Sequence, residues 1–434
     1  MSSCCLKNVS LGALAALGLS LSGCSGDPGP EGGAATESYY RDVKPLVDAK
    51  CTGCHQEGGI APFSLTTHDD VSRWKGPALA AVESRSMPPW PPAQDCADFA
   101  FDRSLTDDEV ALFARWVNAG APAGDPEDAA PPVEAPRTAL PRVDHTLTMA
   151  EAYTPRVSPD DYRCFLLDWP GSTTEYVTGM DLVPGNKSII HHMIAFLAKP
   201  DQVEEYETLD ASDPEPGYEC FGGPGGGQGG LSWLGTWVPG AVETGLPEGT
   251  GIEVPAGSKI VMQLHYNTLT AEAVPDQTGL EIMVEDAVEK PAFVVPFTNA
   301  AWILRKTMDI PAHSKDVVHA HTQEPTAFLK RASDDAISGD KPVTIYRAGL
   351  HMHTRGVKAV TELVRADGQR ECLLDIPRWN FHWQGTYGYT QPKVWNPGDE
   401  LRIECHYDNT TATDMNWGEG TLDEMCLGTL LVSE

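Results

Sequence analysis

Four histidine clusters and two sulfur-bearing motifs carry the chemistry available to this sequence. The clusters are IIHHM (His191, His192), MQLHYN (His265), VVHAHTQ (His319, His321) and GLHMHTRG (His351, His353). With 13 histidines in 434 residues, no single pair is informative, and their joint arrangement must decide. His351 and His353 stand two apart in a strand-like segment, which puts both imidazoles on one face and within reach of one metal. Far downstream, LDEMC offers Met425. A thioether is a soft, weak ligand, so two imidazoles plus this sulfur form a copper-like set. The stretch NKSIIHHMIAF, Asn186 to Phe196, is harder to explain. Its β-branched residues and the Gly185-Asn186 turn predict a buried strand. Neighbouring strand side chains point to opposite faces, so His191 and His192 should not share a partner.

The other motif is AKCTGCHQEGG, with Cys51, Cys54 and His55. C-x-x-C-H is the attachment signature of c-type haem: two thiols bond the vinyl groups and the histidine takes one axial iron position. A thioredoxin-like pair or half a zinc site leaves the histidine unexplained, and no second C-x-x-C follows. In SRSMPPWPP the prolines stiffen a loop around Met87, the candidate sixth ligand, with His68 as its competitor. A haem held by histidine and methionine has no free position for peroxide, which argues against a peroxidase.

Something must position these groups. A content of 41% hydrophobic and 21% charged residues is that of a globular chain with sizeable cores. The net charge of −31 argues against nucleic acid or anionic lipid as a partner. Lys7 and the short apolar run Leu11–Leu21 fit a secretory signal. The run ends in LSGC, which resembles the lipobox of bacterial lipoproteins. That likeness implies acylation of Cys24 and an extracytoplasmic, lipid-anchored protein, with Ser25 favouring the outer membrane. The expected organisation is a signal over 1–24, a Gly/Pro-rich tether over 25–36, a small α-helical cytochrome c module over 37–124 and a proline-rich linker over 125–142. The module closes with an amphipathic helix in SLTDDEVALFARWVNAG, opened by a Thr106/Glu109 capping box and stopped at Gly120. Beyond the linker the texture becomes mainly β. Short runs such as Thr174–Leu182, Lys259–Asn267, Val357–Arg365, Glu400–Tyr407 and Cys426–Val432 recur between turn residues, the pattern of a β-sandwich. The remaining length suits two sandwiches in series, 143–290 and 291–434, divided near Lys290-Pro291, with a long glycine loop at 222–231 inside the first.

From about Arg142 to Val432 the chain resembles the copper type II, ascorbate-dependent monooxygenases, the family of dopamine β-monooxygenase and peptidylglycine α-hydroxylating monooxygenase. The matching elements are HHM, QLHYN, LHMHTRG, NPGDELRIECHYDNT and LDEMC, in the family's order and with similar spacing. The resemblance implies two tandem jelly-roll domains facing each other across a water-filled cleft, each with one copper. His191, His192 and His265 would hold an electron-transfer copper. His351, His353 and Met425 would hold the catalytic, dioxygen-binding copper. Adjacent His191 and His192 could then converge if one bound through Nδ1 and the other through Nε2, with the strand twisting or ending there. The resemblance also implies disulfides Cys164–Cys220 and Cys405–Cys426. For Cys96 and Cys372 the alternatives are a bond between modules or free thiols. His319 and His321 lack the family's flanking residues, and His145, His313, His382 and His406 are taken as structural or surface.

Two departures bear on function. The peptide-amidating branch carries an arginine two residues before the first histidine of H-x-H, where this chain has Gly349. Leu427 and Thr429 replace that branch's asparagine and tyrosine. Peptide amidation is therefore disfavoured, although Gln263 does match. The fused haem is the second departure. On a flexible tether it could dock at either copper and relay electrons from ascorbate or a redox protein. The function expected is insertion of one oxygen atom from dioxygen into a small substrate. The alternative is an extracytoplasmic copper-binding or redox-sensing protein without oxygenase activity.

Overall fold

The computed structural model describes residues 37–57, 61–131, 139–220, 223–226, 232–239, 244–268, 271–418 and 423–434. Cys24, the signal segment, the tether and much of the glycine loop lie outside them. No helix among the described residues is long and apolar enough to cross a membrane.

The N-terminal module contains α1 (Lys44–Lys50), α2 (His68–Glu83) and α3 (Asp107–Asn118), after a π-helical turn at Tyr39–Val43. At the start of α3, Thr106 Oγ1 accepts from the Glu109 amide while the Glu109 carboxylate accepts from the Thr106 amide. The exchange satisfies donors that a first turn leaves open, and three acidic residues there favour the positive end of the helix dipole. A second such box, Thr67 with Asp70, opens α2. Tyr39, Val43, Val71, Phe113 and Trp116 form the module's core.

The rest is β. Among the described residues there is a five-stranded sheet from the first half, a four-stranded sheet from the second, and a nine-stranded sheet shared by both. From edge to edge the shared sheet runs Thr386–Trp395, Val343–His351, Leu427–Ser433, Phe293–Phe297, Ser232–Trp237, Ile190–Ala198, Lys259–Asn267, Asp160–Asp168 and Tyr218–Glu219. The two halves meet where Val294 pairs with Trp233. Each half keeps its own core, one around Met193, Leu264 and Ile282, the other around Ile345, Ile403 and Trp395. The halves are thus joined edge to edge through one sheet as well as facing a cavity.

Three disulfides are present: Cys96–Cys372, Cys164–Cys220 and Cys405–Cys426. The first corrects the expectation of a module swinging on a tether. Residues 88–102 leave the helical module and pack on the second half. Trp90 and Phe99 sit against Tyr387, and Phe99 stacks on Tyr389. Backbone amides bond across the seam at Ala93 to Asp375, Ala100 to Gly388 and Thr390 to Asp98. Aromatic burial, main-chain bonding and a covalent link spanning 276 residues together fix the module in one place.

Candidate metal centres

The Ile190–Ala198 strand lies beside Lys259–Asn267 with Ile190 opposite Tyr266 and His192 opposite His265. His191 is therefore the extra residue of a β-bulge, which bends a strand and re-aims a side chain. That answers the puzzle of the adjacent imidazoles. His191 Nδ1 lies 3.2 Å from His192 Nδ1 and 3.1 Å from His265 Nδ1, and the third side of the triangle is 3.3 Å. The expectation that His191 and His192 use different ring nitrogens is corrected, since all three rings converge through Nδ1. The three nitrogens are close enough together to hold one metal ion between them. The outward nitrogens are also engaged. His265 Nε2 is 2.9 Å from an Asp160 carboxylate oxygen, and His191 Nε2 is 3.3 Å from His382 Nδ1. The Tyr162 ring stacks on His265 at 4.1 Å. Among the described residues, this is the one group of three histidine, cysteine or acidic side chains placed to hold a metal.

The second set is built differently. His351 ends its strand, His353 follows two residues on, and their rings lie 5.1 Å apart. His353 Nδ1 meets the Asp423 carbonyl at 3.0 Å and His351 Nδ1 meets the Gln384 amide oxygen. Each Nδ1–H is thereby committed, leaving Nε2 for a metal. Met425 lines the same cavity as both imidazoles. Glu424 ties these parts together: its carboxylate accepts from the His353 amide at 2.9 Å and the Arg355 amide at 2.5 Å. Burial pushes the Glu424 carboxyl up to about 7, opposed by backbone N–H groups including that of Met425. The Cys405–Cys426 bond and the Tyr407 hydroxyl, which donates to the Met425 carbonyl at 2.7 Å, hold the methionine's backbone. His319 and His321 are occupied elsewhere, by the Asp309 carbonyl and the Gln323 side chain.

Two cavities flank the triad. One, of about 590 Å³, is lined by His192, His351, His353 and Met425, with Trp233, Trp237 and Phe297 on its walls. The other, of about 1110 Å³, is lined by Cys51, Cys54, His55 and Met87 and by His191, His382 and Trp383. Both thiols are free, and burial pushes the Cys51 thiol up to about 12. His55 Nδ1 lies 3.1 Å from the Phe63 carbonyl, which leaves Nε2 available. His68 instead bonds the Ala121 carbonyl at 3.0 Å, outside the residues lining that cavity.

Asp160, Tyr162, Phe381, His382, Gln384 and Glu424 escaped the sequence reading. Only Glu424 had a visible signal, its place beside Met425. The others depend on register and on a loop that returns from the far half.

With fold and geometry in place, the chain is a mainly β protein whose sandwich sheets carry a histidine triad that could hold a metal and a second pair of histidines, His351 and His353, that shares a cavity with Met425. Residues 305–431 match the family model of the copper type II ascorbate-dependent monooxygenase, C-terminal domain. The chain is 22% identical over 279 residues to tyramine beta-hydroxylase of Caenorhabditis briggsae, covering 61% of this chain and 44% of that protein. It is 24% identical over 258 residues to DBH-like monooxygenase protein 1 of Gallus gallus (57% and 39%). Dopamine beta-hydroxylase of Homo sapiens is 23% identical over 277 residues (61% and 42%). The chain spans less than half the length of these relatives.

Burial, reinforced by neighbouring imidazoles, holds both His191 and His351 down to about 3, from an ordinary value of 6.5. In the unfolded chain these rings bind protons that the folded, metal-free protein refuses, so stability falls as pH drops from 6.5 toward 3. Chemical denaturation of metal-free protein between pH 7 and 5 should show losses on the order of 1 kcal/mol per titrating imidazole per pH unit. A His191→Gln variant should show a shallower slope. A profile equally flat in both would contradict the assignment.

Proposed function

We propose that the chain is a copper-dependent monooxygenase that hydroxylates an activated C–H bond of a small, largely apolar or aromatic substrate. The observation that carries this reading is the single cavity bordered by His192 of the triad and by His351, His353 and Met425. Copper, when bound, supplies one-electron redox chemistry and activates dioxygen; soft sulfur beside two imidazoles suits its reduced form. The protein's part is to hold the ligand nitrogens in one tautomer each and to surround the substrate with apolar walls. The overall reaction takes substrate, dioxygen, two electrons and two protons to hydroxylated product and water. At Gly349 an added Cβ would lie 2.5 Å from Thr429 Oγ1. Gly349 therefore lines the cavity without a side chain of its own, and an added one would have to displace the Thr429 hydroxyl, which supports a substrate with no carboxylate clamped there. Incubating reduced, copper-loaded protein with labelled dioxygen and arylalkylamines or other small aromatics should give product carrying one labelled oxygen. Unlabelled product from a turned-over substrate would overturn the reading.

The same proposal includes haem bound covalently at Cys51 and Cys54, with His55 and Met87 as axial ligands, in a chain exported and anchored through Cys24. The free thiols, the orientation of His55 and the presence of Met87 on the same wall fit that group. Because His191 lines this cavity and the second metal set does not, electrons from the module enter on the triad side, whether ascorbate or a redox protein supplies them. Cys54→Ser should abolish reduction of the coppers by a protein donor while sparing reduction by ascorbate. Equal rates from both donors in both proteins would discredit the relay.

A further inference from the structure

The segment Phe381–Gln384 comes from the second half, yet it reaches both metal sets. The Phe381 ring lies 5.7 Å from that of His191 and 6.2 Å from that of His353. Gln384 holds His351, and His382 holds His191. Four of the five imidazoles assigned to metal therefore have a visible partner on the nitrogen facing away from the ion: Asp160 for His265, Asp423 for His353, Gln384 for His351 and His382 for His191. Three of these partners are oxygens, as is usual for ligating histidines. The fourth is an imidazole, and it stands on the wall of the cavity lined by Cys51, Cys54 and His55.

We propose that His382 is a positioning residue for the triad: its Nδ1 accepts the Nε2–H of His191, locking the tautomer that presents Nδ1 to the metal and tying the triad to the N-terminal cavity. The role rests on the copper reading above. The geometry selects it over direct ligation. His382 Nδ1 faces the outward nitrogen of His191, so the His191 ring stands between it and the point where the three Nδ1 atoms converge. It also differs from simple packing, because the contact is polar, polar on both sides, and made across the two halves. A consequence is that metal affinity at the triad depends on a loop of the second half keeping its place, and Gln384 bonds within that loop to the Phe381 carbonyl and out of it to His351.

The test uses the full-length, metal-free chain in a His351→Gln background, so that the triad dominates binding, with cuprous ion titrated against a chromogenic chelator. His382→Ala and His382→Phe should each weaken binding 10- to 100-fold. His382→Gln, whose amide oxygen can accept the same hydrogen, should recover most of it. Electron paramagnetic resonance of the cupric form should report three coordinating nitrogens in every variant. Unchanged affinity in the alanine and phenylalanine variants, or a glutamine variant no better than they are, would overturn the proposal. So would loss of a fourth nitrogen signal on removing His382, which would make it a ligand. If His265→Ala binds as much copper as its parent, the triad is no metal site; the copper reading then fails, independently of the behaviour of His382.

Discussion

Three imidazole nitrogens held 3.1–3.3 Å apart, on two half-buried rings and one buried one, cannot all offer lone pairs to one another. Burial disfavours a second, charging proton on the rings, and the partners at Nε2 of His265 and His191 favour placing the one remaining proton there, so the gap between the three Nδ1 atoms suits a cation. The rest of the architecture follows from serving that point. The bulge at His191 turns two neighbouring side chains inward together, the pairing of His192 with His265 brings the third ring from the next strand, and Asp160 fixes the last tautomer.

The triad is also a partition. His191 borders a cavity walled by a C-x-x-C-H motif, and His192 borders a cavity walled by His351, His353 and Met425. Adjacent residues thus face different compartments while sharing one apex. Under the proposed relay, a copper ion held in such a wall would take electrons from one side and deliver them to the other without substrate entering the first compartment. The disulfide from Cys96 to Cys372 and the packing of Trp90 and Phe99 on Tyr387 keep the helical module against the second half.

Much of this was legible in the amino-acid order, and the reasons differ by residue. His351 and His353 come together, as their spacing suggests, but the strand ends at His351 and His353 lies beyond it, so strand periodicity alone does not place the second ring. The capping box at Thr106 and the haem-type motif at Cys51 are local. The strands at 259–267 and 400–409 announced themselves by β-branched and aromatic content. What stayed hidden was non-local. A bulge depends on register with a partner strand, so the ring nitrogens were assigned unequally when all three are Nδ1. His382 is exposed, as read, but its contact with His191 was hidden because the two lie 191 residues apart. Cys96 and Cys372, likewise distant, could be paired only by folding. The sheet that runs unbroken through both halves was invisible for the same reason.

In the proposed function, Met425 supplies soft sulfur beside His351 and His353 at one of two copper ions. X-ray absorption at the copper edge of the fully reduced, two-copper protein reads that arrangement directly. The account predicts one sulfur scatterer for every two coppers, with the remaining near neighbours nitrogen, and its disappearance in Met425→Leu while nitrogen coordination persists. A spectrum of the parent protein with nitrogen and oxygen neighbours only would contradict it.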